Sequence, residues 1–223
     1  RAAREELDSI SHNEERVEEL RERERALLSQ AGEQAARLSA AREQAARRLE
    51  GAVEEELAEL KMERARFVVS LERVEDPTGP EIDGRRWALD STGVDRVEFL
   101  IAPNVGEPPK PLARIASGGE TSRLMLAMKT VLSAADAVPT LIFDEIDAGI
   151  SGRVGNLVGR KLWSLARQHQ VLCVTHLPQI ASYADQHLSV SKVVQGERTV
   201  TTVRSVDDGE RPQELAGMLG GDG

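Results

Sequence analysis

Cysteine is nearly missing from this chain. Cys173 is the only one, which excludes an internal disulfide and every multi-cysteine metal site and points to a reducing compartment. No apolar run approaches the ~18 residues a membrane helix needs. The first residues, Arg1-Ala-Ala-Arg-Glu-Glu, hold no signal-peptide core, so the expectation is a cytoplasmic chain with no membrane partner. Excess positive charge is lacking too: 29 Lys and Arg stand against 38 Asp and Glu, a net charge of −9. Broad duplex-DNA binding through counterion release needs clustered cations, so any nucleic-acid contact would be local. The phosphate-wrapping loop G-x-x-x-x-G-K-[ST] occurs nowhere. Proline is absent up to Arg66, and Gly32 and Gly51 are the only glycines there.

What fills that first stretch is Glu, Arg, Ala and Leu, the composition of a long helix. Ile10, Val17, Ala31, Leu38, Ala45 and Ala52 fall at one heptad position, and Leu20, Leu27 and Ala41 lie three residues after members of that row. This is a coiled-coil seam. Asn13, Glu24, Gln34 and Arg48 interrupt it, and after Ala45 the spacing shifts to Leu49, Val53, Leu57 and Leu60, as a stutter produces. At about 1.5 Å per residue the helix would extend roughly 90 Å. The plainer alternative is a solvated single helix held by Glu and Arg pairs between Glu14 and Arg25. Sustained apolar heptads are not needed in a lone helix, which favours a partner.

Beyond Arg66 the pattern changes. Phe67 to Leu71 and Val94 to Ile101 read as strands of a small antiparallel element, separated by Asp76-Pro-Thr-Gly-Pro80 and the turn at Asp83-Gly84. Pro103 to Pro111 is a proline-rich loop. A helix follows Ser117-Gly118-Gly119. Thr140–Phe143 and Val171–Val174 read as strands, Val154–Arg167 and Leu177–Tyr183 as helices, Leu188–Val194 and Thr199–Val203 as further strands, and Gln213–Leu219 as a last helix. This order predicts an α/β domain with a mostly parallel sheet and helical crossovers. The expected division is an arm over residues 1–66 and a compact domain over residues 67–223.

Four places carry chemistry. Ser117-Gly118-Gly119-Glu120 puts a hydroxyl and two unobstructed amides at a helix start, where the dipole favours an anion; an ordinary serine cap after a glycine turn would look the same. Asp144 and Glu145 follow an apolar strand, so their carboxylates emerge at the sheet edge where open α/β sheets bind ligands. There Asp144 could hold Mg2+ through water and Glu145 could deprotonate an attacking water, or both could simply cap a solvated turn. Asp147 lies in Ile146-Asp-Ala-Gly-Ile-Ser-Gly152, a loop that could reach a neighbouring subunit. His176 ends the second apolar strand and shares the acidic edge. His12, His169 and His187 read as structural or surface residues, Cys173 as a buried small apolar residue, and Trp163 as part of an apolar helix face with Val154, Leu157, Val158, Leu162 and Leu165.

Taken in order, Ser117-Gly-Gly-Glu120, the strand ending in Asp144-Glu145, Asp147 and His176 resemble the C-terminal half of an ABC-type ATPase head. The long helix ahead of them is similar to the SMC-like branch and not to transporter cassettes. The wording of Gly106–Arg123, Phe143–Gly152 and Thr175–Ala181 resembles the members of that branch acting in bacterial DNA double-strand-break repair. The resemblance is strong from Val94 to Tyr183 and architectural in the arm. It implies two heads sandwiching ATP in a homodimer, with Ser117, Gly118, Gly119 and Glu120 meeting the γ-phosphate held by the other head. It further implies Asp144 as the Mg2+-associated acid, Glu145 as catalytic base, Asp147 as the acid between heads, and His176 as the switch histidine. Glu120 stands where transporters have Gln.

The same resemblance implies DNA and the nucleoid as the setting. It also implies an N-terminal half of the head carrying the phosphate loop, so this chain, which starts without Met, is expected to be a piece that binds ATP poorly alone. Two other classes stay open: a chromosome-organising ATPase of the SMC type, and a coiled-coil adaptor without catalysis.

Overall fold

The computed structural model describes residues 2–104, 106–114, 118–133, 137–195 and 198–220, with side chains from Glu14 onward apart from Ala113 and Gln195. Ser117 lies outside the described residues. Helix α1 runs from Ala2 to Glu59, stopping short of Arg66. The Met62 amide closes onto the Leu57 carbonyl at 2.9 Å and Lys61 takes a left-handed φ of 63°. That is a helix-ending loop made without its usual glycine, which is why no sequence signal marked it.

The chain then forms β1 (Arg66–Glu72), β2 (Glu81–Ile82), β3 (Arg85–Arg86), β4 (Arg96–Ala102) and β5 (Lys110–Pro111). Strands β1, β4 and β5 make a three-stranded sheet in that order. The β2–β3 hairpin turns at Asp83 (φ 54°) and Gly84 (φ 76°), two successive positive angles that suit a tight antiparallel turn. The structure divides into two compact units, residues 1–48 with 68–99, and residues 49–67 with 100–223.

In the first unit, α1 does not use its leucine seam. Val17, Leu20, Leu27 and Leu38 are exposed, whereas Ala35 and Ser39 are buried. Ala35 packs with Ile82 and Val94, flanked by Ala36 and Trp87. Gly32 belongs to the same stripe: a Cβ there would sit 3.0 Å from the Glu81 carbonyl oxygen. Small residues at three- and four-residue spacing let the β segment approach the helix backbone. Beneath them a polar knot forms on Asp95, which accepts hydrogen bonds from Ser39 Oγ (2.5 Å), Arg73 Nε (3.1 Å) and Arg42 Nη1 (3.2 Å).

In the second unit the end of α1 is apolar on its buried side, with Val53 and Leu57 fully buried, as is Leu60 just past the helix, the row the shifted spacing predicts. The remaining elements are α2 (Gly118–Leu132), β6 (Thr140–Phe143), α3 (Gly152–Leu165), β7 (Gln170–Cys173), α4 (Pro178–Ala181), β8 (His187–Gln195), β9 (Arg198–Val206) and α5 (Arg211–Met218). The α/β class holds, with β6 and β7 paired in parallel, Thr140 opposite Gln170 and Phe143 opposite Cys173. Strands β8 and β9 differ from the mostly parallel sheet expected: they pair antiparallel from His187–Val206 to Gln195–Arg198. Two intervening residues suffice for a hairpin but not for a crossover.

One side-chain expectation is corrected and another holds. Trp163 is not part of the core face of α3; it is 42% exposed, with the Arg167 guanidinium 4.7 Å from its ring centre. Val154, Val158, Leu162 and Leu165 form the buried stripe without it. His169 is buried and its Nδ1 lies 2.7 Å from the Val138 carbonyl, a structural role.

Lys161 of α3 reaches Glu56 (2.5 Å) and Glu59 (2.7 Å) in the last turns of α1. Burial works against its charge, but the two carboxylates more than offset this and hold the ammonium pKa above its usual value. A raised pKa means the contribution is present through neutral pH and fades only as pH rises past ~10. Lys161→Met is expected to destabilise by ~2 kcal/mol at pH 7, because two carboxylates lose their cation. Urea unfolding measures this, and a Glu56→Gln, Lys161→Met cycle should show non-additivity.

Candidate functional site

Parallel pairing in register brings β6 and β7 to an end on the same edge, where the Val174 amide donates to the Phe143 carbonyl at 2.9 Å. The residues that follow, Asp144-Glu145 on one strand and Thr175-His176 on the other, therefore share that edge. The loop after β6 is tightly turned. Glu145 has a left-handed φ of 54°, its amide donates to Asp144 Oδ1 (2.9 Å), and its carbonyl accepts the Ala148 amide (3.0 Å). A non-glycine residue in that conformation carries a strain of ~1 kcal/mol, and such outliers concentrate at functional sites. Ile146, fully buried, anchors the turn from beneath.

Asp147 turns inward. It is 4% exposed, and its Oδ2 accepts from Thr175 Oγ1 (2.5 Å) and the His176 amide (2.8 Å) while lying 3.0 Å from His176 Nδ1. That contact orients the imidazole ring and leaves Nε2 facing outward on a side chain that is 74% exposed. Asp147 thus ties the loop after β6 to the turn after β7, and Thr175 Oγ1 in turn accepts the Leu177 amide at 3.0 Å. Helix α4 is seated against α3 through glycines: a Cβ at Gly155 would come 3.3 Å from Gln179 and Leu177 side-chain atoms. Asp144 and Glu145 stay exposed.

The first turn of α2 lies on this loop. A Cβ at Gly118 would fall inside the Glu145 carboxylate, and one at Gly119 would sit 2.8 Å from Ala148 Cβ and 3.2 Å from the Glu145 carbonyl oxygen. Here the two glycines serve close approach. Ser122 and Arg123, one turn further along the same face, donate to the Asp144 carbonyl (2.6 Å) and the Ala148 carbonyl (2.8 Å). Sequence reasoning missed both; the signal was the i to i+4 spacing that carries the Gly118-Gly119 face into them.

Among the described residues, no three His, Cys, Asp or Glu side chains cluster tightly enough to hold a metal alone. Asp144 nonetheless offers an exposed oxygen ligand of the hard type Mg2+ takes, and that ion commonly binds through one or two carboxylates plus substrate phosphates. Cys173 is no nucleophile: burial, with Asp147 and Asp144 nearby, pushes its thiol up to about 12. No described helix is long and apolar enough to cross a membrane.

No family model matches the chain. Curated relatives do, among them three proteins each named DNA repair protein RecN. The chain is 40% identical over 217 residues to that of Halalkalibacterium halodurans, covering 97% of itself. It is 37% identical over 222 residues to that of Bacillus subtilis, again over 97% of itself. It is 47% identical over 174 residues, 78% of itself, to that of Streptomyces coelicolor. It spans only 37%, 38% and 30% of those proteins' lengths, respectively. Among solved structures, it is similar to an Smc head domain with an extended coiled coil from Pyrococcus furiosus, at 21% identity and a TM-score of 0.46, covering 77% of this chain and 37% of that one. With 37% and 40% identity to two of these relatives over 97% of its own length, the chain belongs to the RecN family of DNA repair proteins.

Proposed function

We propose that this chain supplies one catalytic edge and one signature helix of an SMC-like ATPase head that dimerises around ATP and holds broken DNA for double-strand-break repair. Residues 1–66 would serve as one strand of a coiled-coil arm and residues 67–223 as the C-terminal half of the head. The observation that carries the reading is the convergence of Asp144, Glu145, Asp147 and His176 on one edge of the β6–β7 ladder in a chain without a phosphate loop. Such an edge is half of a nucleotide site.

The sheet supports the same reading. Parallel strands are normally covered on both faces, yet Ile142 is 71% exposed, Leu172 44% and Val174 62%. A further layer would bury them. On α1, the exposed leucine seam offers a surface for a second helix.

Each side chain has a task in this scheme. Asp144 would hold Mg2+ together with phosphate oxygens, and the ion would supply charge neutralisation there. Glu145 accepts the proton of the attacking water. His176, oriented through Nδ1 by Asp147, presents Nε2 to a terminal phosphate oxygen. Gly118, Gly119 and Glu120, with Ser117 before them, face the nucleotide of the opposite head. Asp147 would add a contact across the head interface when the loop moves.

Calorimetric titration of ATP into this chain alone is expected to show no micromolar binding. Adding a polypeptide that carries the remaining part of a RecN protein should create ATPase activity absent from either piece. Micromolar affinity of the chain alone would refute the half-site. An inert mixture would favour an adaptor instead.

A further inference from the structure

Both ends of the hydrolytic loop hang on one turn of α2. Ser122 Oγ holds the Asp144 carbonyl at 2.6 Å, and Arg123 Nη1 holds the Ala148 carbonyl at 2.8 Å. Between these anchors lie Glu145 and Asp147, and Asp147 in turn holds Thr175 and His176. Arg123 itself is 8% exposed. It makes no ion pair among the described residues, and its Nε is buried without a hydrogen-bond partner there. The Glu120 carboxylate acts on this guanidinium at longer range but does not offset the cost of burying its charge, and an apolar side chain of similar volume often replaces such a buried cation without loss of stability. An arginine in that place therefore needs a reason other than stability.

We infer that Ser122 and Arg123 are positioning residues, a two-point clamp that ties the loop Asp144–Ala148 to α2 and passes displacements of the α2 N-terminus to Glu145 and His176. This rests on the ATPase reading above and extends it. In a head dimer, the α2 N-terminus meets the nucleotide of one site while Glu145 and His176 of the same chain serve the other. The clamp then lets each site sense whether the other is filled. Without it, the signature turn and the hydrolytic loop respond independently, and the two sites lose their cooperativity.

The test uses the full-length protein with Arg123→Met, Arg123→Lys and Ser122→Ala. Amide hydrogen exchange reads the clamp directly. In Arg123→Met, exchange at Ala148 and His176 should rise about tenfold while the Val174 amide inside the ladder stays protected. In steady-state ATPase assays kcat should fall between about tenfold and a hundredfold with KM unchanged, as for a displaced catalytic group. The Hill coefficient for ATP should drop from near two toward about one. Arg123→Lys, which keeps a donor, should recover part of the cooperativity. Should Arg123→Met fail to fold, Ser122→Ala removes one anchor from a half-buried position and is expected to shift the same readouts by a smaller factor.

Unchanged exchange at Ala148 and His176, or parental kcat and Hill coefficient in folded variants, would overturn the clamp. Failure of the ATPase reading looks different. Glu145→Gln would then hydrolyse ATP at the parental rate while Arg123→Met still loosened the loop.

Discussion

Asp95→Ala is expected to cost ~3–5 kcal/mol of stability. The carboxylate is 1% exposed and pairs with Arg42 and Arg73, whose side chains are 26% and 23% exposed. Ser39 Oγ completes the set and also accepts from Arg73 Nη2 at 2.6 Å. Deleting the acid leaves two half-buried guanidinium groups facing each other with no anion between them. Arg42 keeps the Thr92 carbonyl, and Arg73 keeps its place 5.8 Å from the Trp87 ring centre; neither neutralises charge. Asp95→Asn preserves the shape and should fall between parent and alanine. Urea unfolding at pH 7 provides the measurement, and a loss below ~1 kcal/mol would place the knot among ordinary surface pairs.

The same knot sets an acid limit. Burial raises the Asp95 pKa, but the hydrogen bonds from Ser39, Arg73 and Arg42 outweigh it and hold the carboxyl below its usual value. A depressed folded-state pKa means the stabilisation is complete above the unfolded value of about 4 and is lost as pH falls through the folded one. Asp95→Asn should therefore flatten the acid limb of the stability profile below about pH 4 and leave its neutral region parallel to the parent.

Glu145→Gln in the full-length protein is the second large effect. Turnover should fall roughly 10²–10⁴-fold, the contribution of a positioned general base, with ATP binding kept. Glutamine has the same length and branching, and the turn it must occupy is held by main-chain contacts, the Ala148 amide on the residue 145 carbonyl and the residue 145 amide on Asp144. Only proton acceptance is lost. Single-turnover kinetics alongside nucleotide binding separates the two, and turnover within a few-fold of the parent would remove Glu145 from the base role.

Where sequence and structure agree, the reason is local. Asp83-Gly84 turns because those residues tolerate positive φ, and the edge shared by Asp144 and His176 follows from two short apolar runs pairing in parallel. The disagreements have non-local causes. The end of α1 at Glu59 depends on Lys61 accepting a left-handed conformation, which lysine composition does not announce. The packing face of α1 is built from Gly32, Ala35 and Ser39, whose value is their lack of bulk and appears only once the segment around Glu81 is laid against them. Trp163 shares a helix with the core stripe but sits off its axis. Asp147 reads as outward-facing in a glycine-containing loop; the Thr175 hydroxyl and His176 amide that draw it inward come from the turn after β7, 28 and 29 residues later. Ser122 and Arg123 share a helix face with Gly118 and Gly119, but the carbonyls they hold lie 22 and 25 residues away.

The two stripes of α1 also follow different rules of sequence change. Along Val17, Leu20, Leu27 and Leu38, any bulky apolar side chain keeps the surface greasy, so these positions can drift together with whatever lies opposite. At Gly32, with the Glu81 carbonyl 3.0 Å from where a Cβ would stand, even one methyl group requires the β segment to shift by a few tenths of an ångström. One helix thus carries a permissive side and an intolerant side, and a lineage can retune its long-range pairing without disturbing the join to its own β segment.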